Sequence, residues 1–397
     1  MATPTVDVYV GIDTHAETHH VAIIDELGRK LGDAEFPTTR TGYQQILEFI
    51  LGFGAPVRTG IEGTASYGAG VTAYLRSRHL TVREVIRPKR QARRRGKSDP
   101  IDAYAAARAA AVDEDLPIPK LLGGWIDVIR VILKARKTAL KARTAAITQI
   151  KNFLVTAPAD LRESYAQLPT DKLVTTLAAV RIEPGDSLIA VLRRLARRVR
   201  FLDEEATGAE TELASLTAEV APALANAHAV GPVIAAQLLV TAGENPERIA
   251  SKDAFAALCG TSPIPASSGK THRCRLNRGG DRQANSALHQ IVVVRLGNDA
   301  RTKDYLAKRT AEGKSKRETM RCLKRYVANE VYALIVRHEE VPRIDDLRPL
   351  RQQNKLTLEN VAQHFGVWPM KISTIERGKR RDDHFANDYR EFLLNAA

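Results

Sequence analysis

Cysteine is scarce in this chain. Three occur among 397 residues, Cys259, Cys274 and Cys322, with no Cys-x-x-Cys and no Cys/His pair at zinc spacing. That excludes a disulfide framework and a zinc finger, and it fits a reducing compartment. No run approaches the roughly 18 apolar residues of a membrane helix, and residues 1–30 lack a charged start followed by an apolar core. The expected location is therefore cytoplasmic and nucleoid-associated, with no membrane partner. The hydrophobic fraction of 44% excludes a wholly disordered chain. At about 150 residues per domain, the length allows two to three domains.

Acidic residues are missing from long stretches that are rich in Lys and Arg. The net charge is +14, and it is clustered. Residues 87–97 carry Arg87, Lys89, Arg90, Arg93, Arg94, Arg95 and Lys97 and no acid. Residues 128–159 carry Arg130, Lys134, Arg136, Lys137, Lys141, Arg143 and Lys151, again without an acid. Further clusters run from Arg193 to Arg200, from Lys270 to Arg282 and from Arg301 to Arg325. One such run is an ordinary solvated face; five on one chain point to a polyphosphate partner.

Hydrophobic periodicity divides the chain. Val6–Asp13, His20–Asp25 and Lys30–Phe36 read as strands of an antiparallel meander. A helix over Thr41–Phe53, a strand over Val57–Glu62, a helix over Tyr67–His79, a strand over Thr81–Ile86 and an Ala-rich helix over Asp99–Ala111 follow. The order is βββαβαβα. Pro117, Pro119, Gly123 and Gly124 mark a boundary. Beyond it come a long basic helix (125–157), a Pro-broken segment and an Ala/Glu-rich helix (202–219) suited to a coiled-coil-like hairpin. A new helical unit opens at Ala229-Val-Gly-Pro232. Residues 259–282 form a Gly/Ser/basic loop, and helices cover Ser286–Leu296 and Lys314–His338. Pro342–Pro349 reads as a linker before a small helical unit. The expected domains are 1–118, 119–227, 228–341 and 350–397.

The βββαβαβα order resembles that of the RNase H fold, in which acids at the first strand, the end of the fourth strand and the last helix converge on one edge. Here Asp13 ends strand one, Glu62 ends strand four, and Asp99 and Asp102 open the last helix on one face. Such a cluster suits hard divalent cations, and two ions about 4 Å apart clamp the attacking and leaving oxygens of a phosphodiester. Taken singly, each residue has an ordinary structural reading: Asp99 as an N-cap, Asp102 near the helix N-terminus, Asp13 and Glu62 as strand-end polar groups. His15, His19 and His20 together suggest a metal cluster, but His15 and His19 sit in a loop-to-strand segment before the strand that His20 opens, and they read as exposed loop histidines rather than ligands.

Gly11-Ile-Asp-Thr-His15, Glu62-Gly-Thr-Ala-Ser-Tyr-Gly68 and Lys97-Ser-Asp-Pro-Ile-Asp-Ala103 resemble the motifs of the DEDD transposases of bacterial insertion sequences. The resemblance covers about residues 6–340. It implies a RuvC-like domain joined to a mostly helical transposase domain. Val230–Ala236, Phe255–Pro263, Ser267-Ser-Gly-Lys270 and Arg278–Asn285 resemble the motifs of that second domain. By that resemblance Ser268, directly before Gly269, is the nucleophile that forms a phosphoserine link to DNA, with Ser267 as the neighbour that could be confused with it. Ala229 stands where many members have Gly. Read without the resemblance, Ser-Ser-Gly is an ordinary flexible turn. Lys270, Arg273, Arg275, Arg278 and Arg282 would hold a phosphate and stabilise transition-state charge. The resemblance also implies two Mg²⁺ ions on the carboxylates, a structured bridge RNA pairing with donor and target DNA, and a homo-oligomer, dimer or tetramer, with shared sites.

Gln352–Gly378 resembles a Cro/repressor-type helix-turn-helix. Met370, Lys371, Thr374 and Arg377 would then face a major groove. A protein-docking helical bundle is the alternative. Three functions remain open on sequence: a transposase/recombinase; a junction-resolving nuclease in which a metal-bound water attacks; and a non-enzymatic regulator that uses the tail.

Overall fold

The computed structural model describes residues 6–85, 98–121, 123–183, 187–266, 274–336, 344–378 and 382–396. It divides into two compact units, Met1–Ile126 with Ala242–Arg248, and Asp127–Thr241 with Ile249–Ala397.

The first unit follows the expected order: β1 (Asp7–Thr14), β2 (Thr18–Asp25), β3 (Lys30–Pro37), α1 (Arg40–Phe53), β4 (Ala55–Glu62), α2 (Ala69–Ser77), β5 (Val82–Val85) and α3 (Asp99–Val112). The sheet order is β3-β2-β1-β4-β5. β1–β2 and β2–β3 pair antiparallel, while β1–β4 and β4–β5 pair parallel. This mixed sheet is compatible with an RNase H-like fold. β1, near its centre, is covered on both faces; Val8, Val10 and Ile12 alternate onto one of them, where Ile61 of β4 joins the same core. One face packs Ile46 and Ile50 of α1 and Val71 and Leu75 of α2. Thr39 caps α1, its hydroxyl accepting from the Gly42 N–H at 3.0 Å.

The other face carries α3, which packs through alanines. Ala103 and Ala107 lie against Ala22 and Ile24, and Ala106 and Ala110 lie against Val85. Small residues face each other across this contact. A Cβ on Gly11 of β1 would stand 2.0 Å from the Ala103 carbonyl oxygen, and one on Gly60 of β4 would stand 2.7 Å from that of Ala106. Helix and strand backbones therefore approach as closely as glycine permits.

One histidine departs from the sequence expectation. His19 lies in β2, not in a loop, directly before His20, which opens the expected strand. His19 is fully buried and stacks on Tyr43 with ring centroids 5.8 Å apart. Its period-2 position directs it to the core face. His20 bonds Asp33 at 2.7 Å on the other face, where Tyr104 of α3 also donates to Asp33 at 2.9 Å.

Among its described residues, the second unit is helical apart from one two-stranded ribbon. Its first helix, α4 (Trp125–Val155), begins two residues before the unit does; α5 (Ala159–Tyr165), α6 (Thr170–Ala179) and α7 (Ser187–Val220) follow. α7 starts well before the expected 202, so Arg193–Arg200 and the Ala/Glu-rich segment share one helix. Ile189, Leu192, Ala196 and Val199 supply the reason, since their apolar stripe packs on Leu173 and Leu177 of α6 and Ile150 of α4.

Next come α8 (Pro222–Ala225), α9 (Pro232–Ala242), α10 (Lys252–Leu258), the antiparallel ribbon of β6 (Ile264–Pro265) and β7 (Cys274–Arg275), α11 (Arg282–Asn298), α12 (Ala300–Ala311) and α13 (Lys316–Val336). α12 was not expected from the basic run 301–325. Asp299 caps it, accepting from the Thr302 N–H at 2.8 Å. The last helices are α14 (Leu347–Gln353), α15 (Leu358–His364), α16 (Pro369–Glu376) and α17 (Asp383–Asn395). α14 begins inside the expected linker because Leu347 is fully buried with Val361, Ile372, Ile375 and Tyr389.

Two outcomes are expected. Gly11→Ala should destabilise the first unit by about 3 kcal/mol, since a backbone oxygen cannot move aside; chemical denaturation of the full chain measures it. The second concerns pH. Burial holds the His19 pKa at about 4, below its ordinary 6.5. Between those values the unfolded chain binds a proton that the native chain does not, so His19 costs stability as pH falls from 6.5 to 4. His19→Phe should flatten this part of a urea-midpoint-versus-pH curve relative to wild type. Parallel curves would refute the assignment.

Candidate metal centre and nucleic-acid surfaces

Four local features bring the carboxylates to one end of the sheet. Parallel pairing of β1 with β4, in register at Ile12–Ile61, sets Asp13 and Glu62 on neighbouring strand ends. The Thr14 hydroxyl donates to the Glu62 carbonyl at 2.9 Å and ties the two ends together. Gly63, at φ +65°, then turns the chain away from the sheet. The Ala/Gly contact finally lays the first turn of α3 beside β1. Asp99 and Asp102 both lie in that turn, behind Ser98 at the N-cap and with Pro100 inside the first positions.

Asp13, Glu62 and Asp102 are buried, whereas Asp99 is nearly half exposed. His15 joins the group. Its Nε2 lies 3.2 Å from Asp13 Oδ2 and 3.3 Å from Asp99 Oδ1. The ligand atoms of Asp13, His15 and Asp99 all lie within 4.8 Å of one another. Glu62 and Asp102 lie outside that group, on the adjoining strand end and one helical turn along. The sequence reading set His15 aside as a loop residue. The signal it passed over was the i, i+2 spacing from Asp13 at the end of β1, which returns a side chain to the same face. This donor set, oxygen-rich with one imidazole, is compatible with a divalent metal.

The second unit holds its motif residues in a polar network. Asp281 caps α11, accepting from Gln283 and Ala284 N–H at 2.8 and 3.2 Å, and its other oxygen accepts from the Thr241 hydroxyl at 2.7 Å. Asn285 donates to the Cys259 and Gly260 carbonyls at 2.9 and 3.1 Å and accepts from Lys324 Nζ at 2.8 Å. Arg325 bonds both Ser262 and Asp253. Gly280, at φ +80°, fits against Gly260, whose nitrogen a Cβ would approach to 2.6 Å. The network fixes both flanks of the segment from 259 to 282. Asn285, Lys324 and Arg325 were not singled out from sequence as a structural clamp.

Of the predicted nucleic-acid contacts, Arg87, Lys89, Arg90, Arg93, Arg94, Arg95, Lys97, Lys270 and Arg273 lie outside the described residues, as do Ser267 and Ser268. Arg275, Arg278 and Arg282 are exposed, as are Lys134 and Lys137 on α4. Arg136 is committed elsewhere, with its guanidinium on Glu210 of α7 at 2.9 Å. In the tail Met370 and Arg377 are exposed. Lys371 is not free to face a groove, because its ammonium sits 3.2 Å from Asp382 and 4.0 Å from the Phe385 ring centroid. The Thr374 hydroxyl bonds back to the Met370 and Lys371 carbonyls.

An α/β unit with acids gathered at strand and helix ends, joined to a basic helical unit, is compatible with a DEDD-type transposase. Residues 10–157 match the DEDD transposase model of the IS110 type, and residues 221–307 match the transposase model of the IS116/IS110/IS902 family. An insertion element IS900 uncharacterized 42 kDa protein of Mycobacterium paratuberculosis is 25% identical over 85% of this chain and 97% of its own length. A mini-circle putative transposase for IS117 of Streptomyces coelicolor is 24% identical over 67% of this chain and 78% of its own. The chain belongs to the IS110 family of transposases. No helix among the described residues is long and apolar enough to cross a membrane.

Conversion of Asp13, Glu62, Asp99 or Asp102 to the matching amide should reduce recombination by more than about a hundredfold, the scale for losing one group that stabilises transition-state charge. The fold should survive, and in EDTA the melting temperature should hold or rise as like charges are removed. Assays with Mg²⁺ on a matched DNA substrate check this. Full activity in any two variants would show that the cluster is not the catalytic centre.

Proposed function

We propose that this transposase cleaves and rejoins DNA through a phosphoserine intermediate at Ser268, assisted by Mg²⁺ on Asp13, Glu62, Asp99 and Asp102 and guided by a bridge RNA. The observation that carries the reading is the approach of Asp13 and Asp99 around one point at the sheet end, with Glu62 and Asp102 buried beside it. Two Mg²⁺ ions held there would stabilise charge on the attacking and leaving oxygens of the scissile phosphate.

The remaining chemistry is the protein's own. The Ser268 oxygen bonds to phosphorus as the 3′ or 5′ oxygen of the broken strand leaves with a proton; the reverse attack by a DNA hydroxyl restores the serine. Gly269 lets the backbone approach the DNA. Arg275, Arg278 and Arg282, exposed beside this segment, supply donors to the phosphate oxygens. The Asp281 cap and the Asn285 clamp hold both flanks of the segment, which supports an ordered presentation of the serine.

The basic face of α4, with Lys134 and Lys137 outward, and residues 87–97 serve RNA or DNA backbone. The α4–α7 pair acts as a coiled-coil-like hairpin in a dimer or tetramer. α15 and α16 act as a helix-turn-helix, with Met370 and Arg377 reaching DNA and Lys371 bracing α16 against the start of α17. Thr357 and Asn360 cap α15 reciprocally, which supports a preformed unit. The four segments 1–118, 119–227, 228–341 and 350–397 are proposed as functional divisions.

Ser268→Ala should eliminate an SDS-stable protein–DNA adduct that wild type and Ser267→Ala both form. Mixing Ser268→Ala with Asp13→Ala should restore part of the activity if subunits share sites. Adducts that persist in Ser268→Ala and vanish in Ser267→Ala would move the nucleophile by one residue. A wild type that forms no adduct under any trapping condition would favour the nuclease reading, in which water attacks.

A further inference from the structure

We infer that His15 is a nitrogen ligand of the carboxylate centre, and that it makes the centre prefer Mn²⁺ to Mg²⁺. The inference rests on the metal-centre reading above and assigns a residue and a metal preference within it.

Geometry carries it. Ligand atoms about 2.1 Å from one ion stand about 3.0 Å apart when adjacent and about 4.2 Å apart when opposite. His15 Nε2 lies 3.2 Å from an Asp13 oxygen and 3.3 Å from an Asp99 oxygen, and all three atoms fall within 4.8 Å of one another. One imidazole nitrogen is thus at adjacent-ligand spacing to two carboxylates that come from different elements, β1 and α3. The backbone explains the placement. β1 ends at Thr14, and His15 opens the three-residue step before β2, its N–H bonded to the Thr18 carbonyl at 3.0 Å. His15 is one-third exposed, so its ring can turn toward an ion without disturbing the core.

Chemistry sets the preference. Mg²⁺ demands oxygen donors and gives up its waters reluctantly, so an imidazole adds little to its affinity. Mn²⁺ accepts carboxylates as readily and binds imidazole better. The same three donors therefore hold Mn²⁺ more tightly than Mg²⁺. A hydrogen-bonded imidazole that only offsets the charge of two carboxylates predicts the opposite response to its removal, because any cation would then have to displace it.

The test uses the full-length protein titrated with Mn²⁺. Free ion is counted by its EPR signal, and bound nitrogen is read by pulsed EPR as ¹⁴N coupling. Wild type should show a directly coupled nitrogen. His15→Ala should lose it and bind Mn²⁺ about tenfold more weakly or worse, with Mg²⁺ affinity changed by less than about threefold. His15→Asp, an all-oxygen set, should show no nitrogen coupling and no preference for Mn²⁺. Circular dichroism of each variant keeps a folding defect apart from a lost ligand. Mn²⁺ binding in wild type without nitrogen coupling, or equal or tighter binding in His15→Ala, would overturn the inference and leave the carboxylate centre standing. No divalent binding by wild type would instead overturn the centre itself, and this inference with it.

Discussion

The contact on which the first unit depends is a backbone contact. α3 lies on β1 and β4 through Ala103, Ala106, Ala107 and Ala110, and Gly11 and Gly60 offer no side chain in return. Apart from Tyr104, which packs with Ala22 and Ile24, the helix meets the strands through alanines, so burial per residue is modest. What the alanines gain is proximity. A helix held off by leucines would sit further from the sheet, and its first turn would carry Asp99 and Asp102 away from Asp13. The same contact therefore sets both the packing of the unit and the geometry of its carboxylates.

Proximity of this kind has an electrostatic cost. Asp13, Glu62 and Asp102 are buried in one region, and like charges in a poorly solvated place repel. Folding tolerates the arrangement because the rest of the sheet is well buried, with an unbroken apolar layer under α1 and α2. The α3 N-terminus adds a favourable dipole for Asp99 and Asp102. His15 contributes a polar partner to two of the acids. A structural reading of each acid by itself remains physically sound, since a helix start does favour acids. It does not account for Asp13 and Glu62, which belong to no helix start and stand on separate strand ends.

The first unit was legible because its signals are local and of clear period. Alternation gave the strands, the 3.6-residue repeat gave α1, and the position of each acid followed from where its strand or helix stopped. Legibility failed where tertiary packing chose among local options. His19 looks like a loop residue beside Glu17 and Thr18, but Tyr43 supplies a flat partner that sequence does not announce. The start of α7 was hidden because five arginines between 193 and 200 mask the stripe of Ile189, Leu192, Ala196 and Val199. Lys371 reads as outward on α16 until α17 places Phe385 and the residue before it, Asp382, against it. Charge was thus a good guide to a polyphosphate partner and a poor guide to which basic residues are free to meet it. Arg136, bound to Glu210, makes the same point in α4.

The second unit uses a different device for the same end. In the first unit, small residues let two backbones meet. In the second, side chains tie distant segments together: Asn285 to the backbone carbonyls of 259 and 260, Asp281 to the Thr241 hydroxyl, Arg325 to the Ser262 hydroxyl. Each grip joins a helix to the ends of the stretch that contains the proposed nucleophile. A nucleophile on a short Gly-containing segment needs freedom to approach a phosphate, and it needs fixed ends so that this freedom is not wasted on unproductive positions. Anchoring the flanks meets the second requirement. The motif Arg278–Asn285 therefore divides its labour. Its arginines stay at the surface, where phosphate would be met, and its Asp and Asn turn inward, where they keep the segment in place.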